Sequence, residues 1–182
     1  MLMYLLVAVA VIAIWLMTTY NGLVKLRNLK EEGWSGIDVQ LKRRSDLIPN
    51  IIETVKGYAS HEKETLQGVT NARAAVMNAG NDPEARVQAE NALTGTLRTL
   101  FAVAESYPDL KANTNFLDLQ QQLGTIEDEI QMSRRYYNGT VRNLNTTIQR
   151  FPAVLIAKQF GFKEATFFEA ENEARENPKV SF

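Results

Sequence analysis

The first charged side chain in this sequence is Lys25, and every position from Met1 to Met17 is apolar. An α-helix rises about 1.5 Å per residue, so the run as far as Thr19 covers roughly the 30 Å of a bilayer's hydrocarbon core. Trp15 and Tyr20 then fall where interfacial aromatics sit. The segment reads as a membrane helix. A cleaved signal peptide would carry a basic region ahead of the apolar run and a small-x-small triplet after it; the first is missing, and Ala8-Val9-Ala10 lies inside the run. A retained anchor over residues 1–20 is therefore expected. A core helix would show a polar face, and this run has none.

Removing the anchor leaves about 160 residues, enough for one domain with a real core. The chain has no cysteine, so it holds no disulfide framework, thiolate nucleophile or Cys-ligated metal site, and either side of a membrane suits it chemically. Lys and Arg number 20 against 21 Asp and Glu, a formal charge of −1. That balance lacks the basic footprint of a nucleic-acid binder. Lys25, Arg27 and Lys30 follow the anchor while only the α-amine precedes it, and Glu31 and Glu32 count for little in the charge rule. The bias favours a soluble part in the cytoplasm.

Past the anchor the apolar period is helical throughout. Trp34, Ile37 and Leu41, then Ile48, Ile51, Ile52 and Val55, then Leu66, Val69, Arg73 and Val76 recur at three- and four-residue spacings. Gly22, Gly33 and Gly36 only dilute good helix formers, so the first helix should run on from the membrane until Pro49. Proline removes a backbone donor and crowds the carbonyl of Ser45, so the helix kinks there or restarts with Asp46 as cap. A second boundary is marked at Gly57 to Ser60, with Ser60 a candidate cap. Asn78 to Pro83 is the clearest loop, with Asp82 as N-cap and Pro83 at the first helical position. Tyr107-Pro108-Asp109 breaks the helix that follows. From Asn115 to Arg150 a stripe of Phe116, Leu119, Leu123, Ile126, Ile130, Tyr137, Val141, Leu144 and Ile148 predicts a helix of about ten turns. Helices are thus expected near 2–47, 50–78, 83–106 and 113–150. Short connections make neighbours antiparallel, so the fold class is all-α: a transmembrane helix continuing into an up-and-down bundle of about four long helices over residues 21–151, then an aromatic-rich tail over 152–182.

The tail holds Phe151, Phe160, Phe162, Phe167, Phe168 and Phe182, six of the chain's eight phenylalanines. Aromatic payload mostly serves burial, so the tail should fold back on the bundle; a partner chain or the bilayer face are the other surfaces it could cover. Gly161 between two phenylalanines suits a tight bend. Phe160, Phe162, Phe167 and Phe168 lie within nine residues and cannot all face one groove, which makes them candidates for self-association or docking.

Catalytic patterns are weak. His61 is the chain's one histidine, and the residue three before it is Tyr58, so no inward Glu-x-x-His pair exists for a bundle metal site. Gly57, Gly68 and Gly80 form no phosphate cradle. Glu127-Asp128-Glu129 reads as a solvated face between Ile126 and Ile130. No catalytic residue, cofactor or metal ligand is assigned. The polar run Lys42-Arg43-Arg44-Ser45-Asp46 is the feature that stands out: three consecutive cations spread around most of a helix, so at least one must point at a neighbouring element or a partner. The plain reading is two exposed charges and one weak ion pair inside the bundle. A lipid headgroup contact is opposed by distance, since a straight helix puts Arg43 about 35 Å beyond Tyr20, past the Debye length.

Tyr20-Asn21-Gly22-Leu23-Val24, Trp34-Ser35-Gly36-Ile37-Asp38-Val39-Gln40-Leu41-Lys42-Arg43-Arg44, Asp46-Leu47-Ile48-Pro49-Asn50 and Glu53-Thr54-Val55-Lys56-Gly57-Tyr58-Ala59 resemble the LemA family of bacterial membrane proteins. So does the tail, through Phe151-Pro152, Leu155-Ile156-Ala157, Phe160-Gly161-Phe162, Phe168 and Ala174-Arg175. The resemblance implies a membrane-anchored antiparallel helical bundle at the inner membrane. It carries no agreed activity: the family includes proteins associated with magnetosome membranes and others thought to accompany membrane metalloproteases. Some relatives look like lipoproteins facing the periplasm, but this chain lacks their cysteine and resembles the transmembrane branch. The functional expectation is a non-enzymatic scaffold that self-associates at the membrane, with lipid and further copies of itself as partners. An adaptor or regulatory module for another membrane protein is the alternative.

Overall fold

A computed structural model describes residues 1–80 and 83–168, the side chain of Pro83 excepted. It is helical, with no strand among the described residues. The elements are α1 (Leu2–Tyr58), α2 (Lys63–Asn78), α3 (Pro83–Ala104), a single turn α4 (Pro108–Lys111), α5 (Thr114–Gln149) and α6 (Ala153–Gln159). Two compact units divide the chain. One takes residues 1–38 and 131–167; the other takes 39–130 and Phe168.

The second unit is a four-helix, up-and-down bundle made by the end of α1, α2, α3 and the start of α5. Contacts at both ends give its directions. Ser45 of α1 meets Arg73 of α2, Tyr107 after α3 meets Glu62 before α2, Phe101 of α3 stacks with Phe116 of α5, and Tyr58 of α1 accepts from Asn113. Ile48, Ile51, Val55, Val69, Leu93, Leu100 and Leu110 are sealed in its core. They come from the apolar stripes of their helices, because only the faces at three- and four-residue spacing can be covered together.

Pro49 does not end α1, which continues to Tyr58. The expected restart is corrected, and the reason lies on the neighbouring helix. The Ser45 carbonyl that a residue with an N–H at position 49 would have bonded accepts the Arg73 Nε–H instead, at 2.9 Å. Asp46 therefore caps nothing and stays exposed on the helix. The break falls at the other marked site, after Tyr58, where Ala59 N–H closes on Val55 and Glu62 N–H on Ala59. Ser60 does not cap α2; Glu62 stands at that position and makes no side-chain cap bond. Asp82, the expected cap of α3, lies outside the described residues, as do Ala174, Arg175 and Phe182. Asn113 caps α5, its Oδ1 accepting from the Phe116 N–H at 2.9 Å.

The first unit sets α1 against the second half of α5 in antiparallel register. Trp34 stacks edge-on with Tyr137 at 5.5 Å, and Leu23 is buried with Leu144 and Ile148. At Gly33 the two backbones come so close that a Cβ would sit 3.1 Å from the Tyr137 Cα. After α5 the chain turns through Phe151 and Pro152 into α6. That helix ends in a Schellman cap: Phe162 N–H bonds the Ala157 carbonyl at 2.9 Å around Gly161, whose φ is 71°. The chain then runs back along α5. Asn145 clamps Ala165 through both backbone groups, at 2.8 and 2.9 Å, and the Tyr137 hydroxyl donates to the Thr166 carbonyl at 3.0 Å.

Candidate functional site

Within the first unit, the apolar side chains of α1 from Leu2 to Ile14 are exposed on every side. Among the described residues this is the one helix long and apolar enough to cross a membrane. Burial begins at its end. Trp15 is half-buried against the cluster of Leu23, Leu144, Ile148, Ile156 and Ala157. Tyr20 packs edge-on with Phe160 at 4.9 Å and Phe162 at 5.8 Å, and the Arg27 guanidinium lies 5.5 Å over the Phe162 ring. Trp15 and Tyr20, singled out as the anchor's interfacial pair, thus also tie it to the tail.

The tail phenylalanines do not act as one set. Phe162 is half-buried and Phe168 is buried, so these two serve packing. Phe160 remains 59% exposed and Phe167 41% exposed. Two exposed groups result. Phe151, Leu155 and Phe160 lie exposed along the turn and α6, whose end packs on Tyr20. Met132 and Tyr136, one turn apart on α5, lie exposed at the other end of the unit, where Phe167 follows the Thr166 held by Tyr137. Burial pushes the Tyr137 phenol above its ordinary pKa range.

The cationic run resolves within the second unit. Lys42 and Arg43 face solvent, while Arg44 is only 2% exposed. Its Nη1 donates to Glu127 at 2.8 Å and to the Thr94 hydroxyl at 3.1 Å, and its Nη2 donates to Glu90, which is wholly buried. Arg86 stands 3.5 Å from the other Glu90 oxygen. Two guanidiniums thus balance two carboxylates, and the Thr94 hydroxyl donates a hydrogen bond to the Glu90 carbonyl at 3.0 Å. The expected weak ion pair is instead a desolvated network linking α1, α3 and α5. Glu127-Asp128-Glu129 keeps part of its solvated face: Asp128 is exposed, and Glu127 at 35% and Glu129 at 32% exposure also reach Arg44 and Arg43.

Glu90 and Arg73 were legible as anomalies. Arg86 and Glu90 extend the stripe of Leu93, Leu97 and Leu100 at helical spacing, and Arg73 interrupts that of Leu66, Val69 and Val76. A charge on an apolar stripe signals a buried partner, but not which one.

Chemistry is sparse elsewhere. Among the described residues no group of three His, Asp or Glu side chains could hold a metal ion. His61 is exposed. An open hollow of about 330 Å³ beside Arg43 is lined by Asp118, Gln121, Gln122, Thr125 and Ile126. Its Thr125 hydroxyl donates to the Gln121 carbonyl at 3.1 Å.

The family model of the LemA family matches residues 33–182, from the close approach at Gly33 through the Arg44 network to the tail. The chain belongs to the LemA family. Protein LemA of Metamycoplasma hominis is 27% identical over 150 aligned residues, covering 82% of this chain and 68% of that protein. Magnetosome protein MamQ 2 of Paramagnetospirillum magneticum is 24% identical over 206 positions, covering all of this chain and 75% of that protein. Magnetosome protein MamQ of Magnetospirillum gryphiswaldense is 21% identical over 191 positions, covering 91% and 70%. With its apolar N-terminal helix, this LemA-family chain is a membrane-associated protein, and none of these names is that of an enzyme.

Proposed function

We propose that this chain is a non-enzymatic, membrane-anchored scaffold that self-associates at the bacterial inner membrane, with its soluble part in the cytoplasm. The observation that carries this reading is the exposed group of Met132, Tyr136 and Phe167 on the first unit. Residues of this kind are the usual anchors of protein contacts, and their number invites a covering surface. Confinement by one membrane helix raises the effective concentration of neighbouring copies, so a modest patch suffices for lateral assembly. Lys25, Arg27 and Lys30, placed just past the apolar run, support the cytoplasmic side.

Particle size tests the assembly. The full chain in mild detergent should scatter light as a homo-oligomer much heavier than one subunit. Changing Tyr136→Ser together with Phe167→Ser should shrink that particle while far-UV helicity stays. A monomer that grows only when a second membrane protein is added would replace the scaffold with an adaptor.

A further inference from the structure

The group at the anchor's end has a different geometry from the one just assigned to assembly. α1 and α5 run antiparallel, with Leu23 beside Ile148 and Trp34 beside Tyr137. Each step forward along α5 is a step back along α1. Continued for three residues beyond Ile148, that register brings Phe151 level with Tyr20. Phe160 is on the same level, since its ring packs on Tyr20 at 4.9 Å. Trp15, more than a turn further into the apolar run, still packs on the cluster that holds Ile156 of α6. The turn and α6 therefore reach the depth at which the anchor leaves hydrocarbon.

What projects there is not what water favours. Phe151 is 76% exposed, and Leu155 and Phe160 are exposed by more than half. The charges follow one sign. Residues 150–163 contain Arg150, Lys158 and Lys163 and no acidic residue, and all three cations are exposed. Aromatic rings with basic neighbours and no carboxylates match the headgroup layer, where ring edges meet glycerol and cations meet phosphate. A protein partner would have to occupy the depth that lipid already fills around Trp15.

We infer that residues 150–160 form a second membrane contact: Phe151, Leu155 and Phe160 enter the boundary between headgroups and acyl chains beside the anchor, and Arg150 and Lys158 lie against lipid phosphates. This contact rests on α1 crossing the bilayer, and it leaves Tyr136 and Phe167 free for assembly. A helix held at one point can tilt and spin in the membrane; one held at the anchor and at α6 presents a fixed face to its neighbours.

Depth-dependent fluorescence quenching tests it. The full chain is reconstituted in phosphatidylglycerol–phosphatidylcholine vesicles whose phosphatidylcholine carries bromine near the top of the acyl chain. Three single-tryptophan versions are compared. Trp34→Phe leaves Trp15 as reporter of the anchor. Trp15→Phe with Trp34→Phe and Phe160→Trp reports on α6, and the same background with Tyr136→Trp reports on the far end. Bromine should quench the first two and spare the third. Quenching at Trp15 without quenching at position 160 overturns the inference and leaves the anchor standing. Emission at position 160 that is blue-shifted and insensitive to bromine also overturns it, in favour of a second copy as the occupant. Loss of quenching at Trp15 as well would bring down the membrane reading itself. Should Phe160→Trp lower far-UV helicity, Phe151→Trp gives the same reading from a side chain with little to unpack.

Discussion

Arg44 holds its place because three carboxylate and hydroxyl acceptors converge on one guanidinium. Such a network is strongly asymmetric: removing one member strands a buried charge, whereas removing an oppositely charged pair keeps the remaining charges balanced. Arg44→Met should therefore lower unfolding free energy by about 3–5 kcal/mol, and Arg44→Met with Glu90→Met should recover most of that loss. Urea titration in mild detergent measures both. Arg73 acts on the backbone instead. Arg73→Met strands the Ser45 carbonyl and should cost about 1–3 kcal/mol, since proline at position 49 has no hydrogen to offer. In a Pro49→Ala background the same change should cost much less, because the helix then supplies its own donor. Equal losses in the two backgrounds would show that Arg73 contributes by something other than this bond. Tyr137 makes a pH statement. Its pKa is raised by burial, so its contribution is intact below the unfolded value of about 10 and is lost as pH climbs from there through the folded value. The melting temperature should fall steeply above about pH 10, and less steeply in Tyr137→Phe.

At the scale of elements, two closures define the first unit. Gly33 lets α1 and α5 touch through their backbones, with the nearest Tyr137 atom a Cα that cannot rotate away. Gly36, one turn along, has open space. Gly36→Ala should therefore raise thermal stability by the helix propensity gain of about 0.5–1 kcal/mol, and Gly33→Ala should lower it despite the same gain. A similar response at both positions would mean that the helices separate readily there. The other closure is the cap at Gly161, which reverses the chain into the Asn145 clamp. Gly161 was readable as a bend from its flanking phenylalanines, because left-handed backbone is a local demand. The clamp was not, since an asparagine inside a long helix resembles any other solvated residue. Which phenylalanines are buried followed from that clamp: the run back along α5 turns Phe162 inward and leaves Phe160 out.

For the whole molecule, the side on which the soluble part lies depends on the charges next to the anchor. A C-terminal reporter active only in the cytoplasm should light up, and one active only in the periplasm should stay silent; the opposite pair of results places the bundle outside. Replacing Lys25, Arg27 and Lys30 with glutamine should weaken the preference. The fold class and a helix long and apolar enough to cross a membrane could be read without coordinates, because hydrophobic period and the length of an uncharged run depend on neighbours three to seven residues apart. The limits of α5 came the same way, through the stripe from Phe116 to Ile148. Pro49 shows where such reading stops. Locally it kinks or ends a helix, and the donor that satisfies the carbonyl it leaves free lies 28 residues away on α2. Arg44 stops it again, since its carboxylates stand 46 and 83 residues along the chain. Three adjacent cations made an inward one unavoidable, but a helical pattern names a face and not the side chain across from it. Only packing brings distant donors and acceptors within 3 Å, and desolvation there decides whether a charge is a surface ornament or a structural tie.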